Sequence, residues 1–192
     1  MIRLLCLILS LHAPFVLAET TSPSSAAYAD ISALMESHSS LQGRFDQVKY
    51  LAALEAEISS SGRFEYEHDK AIRWHTREPI ENLLTLTPRG ILSEQDGKVL
   101  SRLDAESNPV VSLFSDIFFG VMTADWQRLE HHFEMESRVT GANWHAVLTP
   151  RAPEVESIVS RVELQGDSYL REIILHEAGG DWTRIRFSEL PQ

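Results

Sequence analysis

The chain has 192 residues, 17 of them basic and 28 acidic, for a formal charge of −11. It has no basic run, which sets aside nucleic-acid binding through phosphate neutralisation and stable electrostatic attachment to anionic lipid. The acidity reads simply as solubility.

Arg3 precedes LLCLILSLHAPFVLA, an apolar run ending in Val16-Leu17-Ala18. Small or β-branched residues stand at the two positions that a signal peptidase reads. Met1 to Ala18 therefore read as a cleaved secretory signal. An uncleaved anchor is the alternative, and His12 and Pro14 inside the run count against it. Cys6, the one cysteine, lies in this leader, too early to be a lipid-modified cysteine. The mature chain then has no disulfide, no thiol chemistry and no cysteine-based zinc site. It must be held by its core alone, for which about 170 residues suffice.

Glu19 to Ala26 is polar and rich in Ser and Thr, and is expected to be a disordered spacer. In AYADISALMESH, Tyr28, Ile31, Leu34 and Met35 fall at helical spacing. From Ser40 the period becomes two. Leu41, Gly43, Phe45, Gln47 and Lys49 alternate along a long strand. A turn follows, with a second strand beginning near Glu57. RFEYEHDKAIRWHTRE reads as a hairpin about His68-Asp69-Lys70, with Phe64 and Tyr66 on one face and Ile72 and Trp74 on one face beyond the turn. Pro79 ends it. NLLTLTPRGILSEQDGKVLSRL supplies three more short strands, with Asp96-Gly97 favouring a tight turn.

PVVSLFSDIFFGVM, Pro109 to Met122, is the one strongly apolar segment of the mature chain, and Pro109 can start a helix. Val111, Phe119 and Val121 widen its apolar stripe nearly all round, so the helix must be covered on most sides. Strands are then expected over Leu129 to Val139, Trp144 to Leu148, Ile158 to Leu164, Tyr169 to His176 and Thr183 to Ser188. The order of helix, strands, helix, strands with tight turns predicts an antiparallel meander in a single domain.

Chemistry is hard to find. If EHHFE is a strand, Glu130, His132 and Glu134 share a face, a weak metal candidate beside the plainer reading of a polar outer face. His176 to Asp181, HEAGGD, lacks the second histidine of a zinc-protease helix, and Gly179-Gly180 would break that helix. His68-Asp69 and Trp74-His75 read as solvated polar residues. The sequence contains no G-x-S-x-G, no phosphate loop for ATP and no dinucleotide fingerprint. No cofactor is implied.

GRFDQVK at Gly43 to Lys49, SSGRF at Ser60 to Phe64 and IRWHTREP at Ile72 to Pro79 resemble the first half of the LolA-type periplasmic lipoprotein carriers. DWQRL at Asp125 to Leu129 and WHAVLTPR at Trp144 to Arg151 resemble the second half. The ordered set spans nearly the whole mature chain. It is closest in flavour to the divergent carrier-like proteins of fatty-acid-derived or aryl-polyene products.

The resemblance implies an α+β, mainly β fold over residues 27 to 192. This is an unclosed, strongly curved antiparallel β-barrel of about ten or eleven strands, with a helical lid over an apolar cavity. It implies a cavity wall of Phe45, Phe64, Tyr66, Ile72, Trp74, Leu84 and Leu86, and a lid of Leu113, Phe114, Ile117 and Phe118, with no catalytic or metal site. The implied function is a non-enzymatic, monomeric periplasmic carrier of lipoprotein acyl chains or another acyl lipid. It would receive cargo from an inner-membrane release complex and deliver it to an outer-membrane acceptor. His68 and Asp69 stand where the well-known carriers have an arginine followed by proline, so no arginine latch carries over. The chain also ends at FSELPQ, where those carriers continue. The residues alone leave open an ordinary filled core, and an adaptor that binds a protein partner through its curved sheet.

Overall fold

The structure, a computed structural model, describes residues 23–35, 38–68, 70–123 and 125–191. The leader with Cys6, the start of the spacer and Asp69 of the hairpin turn lie outside the described residues.

Helix α1 spans Pro23–Ser32. It takes in Pro23 to Ala26, the end of the expected spacer, because proline suits a helical first turn. Tyr28 and Ile31 are buried as their spacing requires, and Tyr28 donates its hydroxyl to the Phe133 carbonyl at 3.2 Å.

Two long strands follow, β1 (Ser40–Leu51) and β2 (Ala56–Glu67), joined by a single 3-10 turn at Ala52–Leu54. Glu55 closes that turn in the left-handed region at φ 48°. Next come β3 (Ala71–Glu78), β4 (Asn82–Thr87), β5 (Gly90–Gln95) and β6 (Lys98–Asp104). Asp96 and Gly97 both take positive φ, as the tight turn between β5 and β6 demands. Helix α2 (Pro109–Thr123) and short α3 (Trp126–Glu130) lead into β7 (Phe133–Thr140) and β8 (Asn143–Pro150). A one-turn helix, α4 (Pro153–Glu156), precedes β9 (Val159–Gly166), β10 (Leu170–Glu177) and β11 (Trp182–Ser188).

The expected strand from Leu129 is therefore corrected at its start. Trp126 and Leu129, three apart, both point into the core at 5% and 0% exposure, which a helix achieves and a strand does not. Alternation begins only at Phe133 and Met135.

All eleven strands form one antiparallel sheet in the order β6-β5-β4-β3-β2-β1-β11-β10-β9-β8-β7. Pairing of β1 with β11 joins the two meanders, with Phe45 opposite Phe187. The sheet curves but does not close, leaving β6 and β7 as edges. Bulges at Ser61/Gly62, Ser93/Glu94 and in the β9–β10 pair add local bend. At Gly62 a Cβ would collide with the His75 carbonyl oxygen and the Phe45 ring, so only glycine lets β3 approach there.

The chain must travel from edge β6 to edge β7, and α2 with α3 is that connection. Being apolar nearly all round, α2 takes the concave route, where both its sides are covered. The convex face instead carries charge pairs such as Arg73–Glu65 at 3.7 Å and Arg186–Glu172 at 2.7 Å.

Candidate functional site

The concave face of the first meander is an aromatic floor. Alternation turns Phe45, Phe64, Tyr66, Ile72 and Leu86 inward at 4% exposure or less, while Trp74 and Leu84 are half-buried. Register then makes them neighbours. Phe64 sits opposite Trp74, and Trp74 opposite Leu84. Ile72 lies between Tyr66 and Leu86. Phe45 stacks on Trp74 with ring centroids 3.9 Å apart, a planar overlap of two large apolar surfaces. The structure thus brings all seven expected wall residues onto one surface. It adds Phe187 of β11, edge-on to Phe64 at 5.2 Å and to Trp74 at 6.0 Å. The alternation of Ile185 and Phe187 marked an inward face, but nothing local marked β1 as its neighbour.

Helix α2 lies on this floor. At 3.6 residues per turn, Val111, Ser115, Phe118, Phe119 and Met122 form one stripe. Phe118 meets Trp74 edge-on at 6.1 Å, and Phe119 meets Tyr66 at 6.4 Å. Met122 shares a pocket with Leu41, Phe64 and Phe187. Leu113 and Ile117 stand about 180° and 140° round the helix from the centre of that stripe. They are nonetheless buried, at 4% and 1% exposure, on the side that carries Gly120. There α3 approaches so closely that a Cβ on Gly120 would come 2.9 Å from Leu129 Cγ. Of the four expected lid residues, Phe118 touches the floor, Phe114 is half-buried, and Leu113 and Ile117 face the other way. Phe119 and Met122 were not singled out, because a helix apolar all round gives no signal of which face meets what.

Little free volume remains beside the lid at one described pocket. The pocket at Met35, His38, Leu41, Phe64, Met122 and Phe187 holds about 10 Å³, room for one water at most. Met122 of α2 forms part of its lining. A groove of about 490 Å³ does exist, lined by Gln42, Glu65, Glu67, Lys70 and Arg73 among others. Those charges belong to the convex side, so the larger opening is unsuited to an alkyl chain.

The lid is tied at one flank. Asp116 Oδ2 on α2 lies 3.1 Å from His132 Nε2, just before β7, and Asp116 Oδ1 lies 4.0 Å from Arg128 Nη1 on α3. Arg128 also holds Asp125 at 2.7 Å. The Glu130, His132, Glu134 face is thereby dissolved. Glu130 is helical, His132 faces Asp116, and Glu134 accepts from Arg151 at 3.1 Å. Among the described residues no group of three or more His, Cys, Asp or Glu is arranged to hold a metal. His68 lies 2.8 Å, Nδ1 to hydroxyl, from Tyr66 of the floor.

Two carboxyls on the second meander are held below their ordinary values. Partial burial pushes Glu163 up, but the His176 hydrogen bond at 2.8 Å and the charges of Arg161, His176 and His145 outweigh it. Partial burial likewise opposes Asp167, and the Tyr169 backbone N–H and the Arg171 guanidinium prevail.

A family model described as Outer membrane lipoprotein carrier protein LolA matches residues 36–192. No curated protein matches the chain. Among solved structures, a LolA superfamily protein from Nitrosomonas europaea aligns at 10% identity and TM-score 0.47, over 88% of this chain and 93% of that one. Lipoprotein LppX of Mycobacterium tuberculosis aligns at 12% identity and TM-score 0.44, over 86% and 94%. A chain of the Pseudomonas aeruginosa MucA/MucB complex aligns at 20% identity and TM-score 0.38, over 86% and 56%.

Proposed function

The chain belongs to the family of the outer membrane lipoprotein carrier protein LolA, and on that premise we propose that it is a periplasmic carrier of acyl chains. Members of this family are carriers and not enzymes. In this reading the acyl chains of a lipoprotein, or of another acyl lipid, displace α2 from the aromatic floor and take its place. The leader Met1 to Ala18 sends the chain to the periplasm, and residues 27 to 192 act as a single carrier domain. Cargo passes from an inner-membrane release complex to an outer-membrane acceptor.

The observation that carries the proposal is the fit of α2 on the floor. A greasy helix with no charge on its floor-facing stripe rests on Tyr66 and Trp74, beside Phe64, on the surface an alkyl chain would occupy. Energetics make such a competitor useful. Burying about fifteen methylenes is worth roughly 12 kcal/mol, too much for a cargo that must leave. Lifting Phe118, Phe119 and Met122 off the floor costs about 2 kcal/mol each. Uptake then retains roughly half of its gross gain, which corresponds to binding in the tens of micromolar. Release is helped by the same helix returning. With no ATP motif in the sequence, transfer runs downhill to a partner or is driven by a membrane complex. The Asp116–His132–Arg128 group serves as the latch on the lid's flank, in place of the arginine that this hairpin lacks.

Native mass spectrometry of protein purified from the periplasm tests this. A bound acyl compound is the expected result, and its mass distinguishes a lipoprotein anchor from a fatty-acid or aryl-polyene product. The small volume of the pocket beside Met122 is the observation that favours a second reading, a non-catalytic adaptor binding a protein through its curved sheet. Recovery of a protein partner with no lipid, together with failure of added palmitate to bind, would select that reading.

A further inference from the structure

Ser115 sits at the centre of the floor-facing stripe of α2, between Val111 and Phe118, Phe119 and Met122. It is 4% exposed, and its Oγ has no hydrogen-bond partner among the described residues. Helical hydroxyls commonly turn back to the carbonyl four residues earlier. Ser32 does so to Tyr28 at 2.9 Å, and Thr123 to Phe119 at 2.7 Å. Ser115 does not. Its hydroxyl is buried on the side of the helix whose Phe118 and Phe119 meet Trp74 and Tyr66. An unmet buried hydroxyl weakens the closed state, since it has given up water for nothing. Trp126 Nε1, also without a hydrogen-bond partner among the described residues, lies between Tyr28 and Trp144, away from this face.

We propose that Ser115 is the polar anchor of the cargo site, donating its hydroxyl to the carbonyl oxygen of an ester- or amide-linked acyl chain. The inference rests on the reading of α2 as a displaceable lid. When α2 lifts, this hydroxyl is the one polar group on the stripe that then covers the cargo. A carbonyl near the head of an acyl chain accepts the bond, while an ether oxygen or a plain methylene chain leaves it unmet or poorly met. The site therefore selects O-acyl and N-acyl lipids over ether lipids and hydrocarbons. Such a bond in a dry site is worth roughly fivefold in affinity.

The test uses delipidated full-length mature protein, with methyl palmitate and hexadecyl methyl ether competing against a fluorescent fatty acid. The two competitors differ only in the carbonyl oxygen. Wild type is expected to prefer the ester by roughly fivefold. Ser115→Ala is expected to bring the ratio near one by losing ester affinity alone. The empty variant should melt at the same temperature or a few degrees higher, about 2–4 °C, because an unmet hydroxyl is gone. A merely structural serine would instead lower the melting temperature and weaken both ligands alike. Equal binding of both compounds by wild type, or an unchanged ratio in Ser115→Ala, overturns this inference alone. If neither compound displaces the probe and the probe itself fails to bind, the carrier reading falls, and this inference with it.

Discussion

Trp74 touches four aromatic rings: Phe45, Phe64 and Phe187 of the floor, and Phe118 of the lid. It is the point at which α2 meets the sheet through Phe118. Phe118 is the lid member of that contact, and it is only half-buried. A carboxylate at position 118 can reach water without unfolding the sheet, yet a charged stripe cannot lie on an acyl chain. Phe118→Asp is therefore expected to lower binding of a fluorescent fatty acid more than tenfold with an unchanged far-UV spectrum. Undiminished uptake would remove α2 from the role of lid. Ile117, on the α3 side at 1% exposure, is the poorer test, because a charge there attacks the core. Glu163 tests the second meander separately. Its folded pKa lies below the ordinary 4.5, so the unfolded chain binds the proton more readily. Its contribution is then complete above that value and is lost as pH falls through the depressed folded pKa. Urea midpoints of wild type should drop on acidification below about pH 5, and Glu163→Gln should drop less steeply. Parallel curves would show that the His176–Glu163–Arg161 contacts carry no such linkage.

At the scale of elements, α2 is part of the core and, in the proposed carrier, the part that moves. One side is wedged against α3 at Gly120, and the other rests on the floor without backbone pairing. Strands β1 and β2, by contrast, are held along twelve paired residues. Opening is therefore expected to cost least at α2, a difference that hydrogen exchange resolves. Removing Asp116 deletes the tie to His132 and Arg128. In Asp116→Ala, exchange of α2 amides should rise about fivefold, while β1 and β2 stay as slow as in wild type. Equal acceleration everywhere would mean that Asp116 supports the whole fold and not the lid. Element types were largely legible in the chain, since periods of 2 and 3.6 differ clearly in GRFDQVK and in VVSLFSDIFF. The short helices α3 and α4 were not. Each is one turn or slightly more, too brief for a period to register.

For the whole molecule, the open sheet follows from one long-range pairing. β1 and β11 join the meanders, and the remaining edges, β6 and β7, are bridged by the helical connection. In the proposed carrier, cargo site and chain connection are the same segment, so that one helix would exchange with a ligand while every strand keeps its neighbours. The location of such a carrier depends on its leader. Protein recovered from the periplasm is expected to begin at Glu19, as intact mass would reveal. A mass that retains Met1 to Ala18 would replace the shuttle by a tethered form.

By itself the sequence determined the local periods, the turns at Asp96-Gly97 and Pro79, the inward faces of Phe45, Phe64, Ile72 and Trp74, and the resemblance to a carrier family. These are properties of neighbours in the chain, decided by side-chain alternation and backbone preference. Tertiary structure alone decided that Phe187 completes the floor and that Phe119 and Met122 lie against it. It also decided that Asp116 meets His132 and that Ser115 faces inward with nothing to bond. Each depends on which surfaces meet across many residues of chain, and an evenly apolar helix such as α2 carries no local mark of the face it will present.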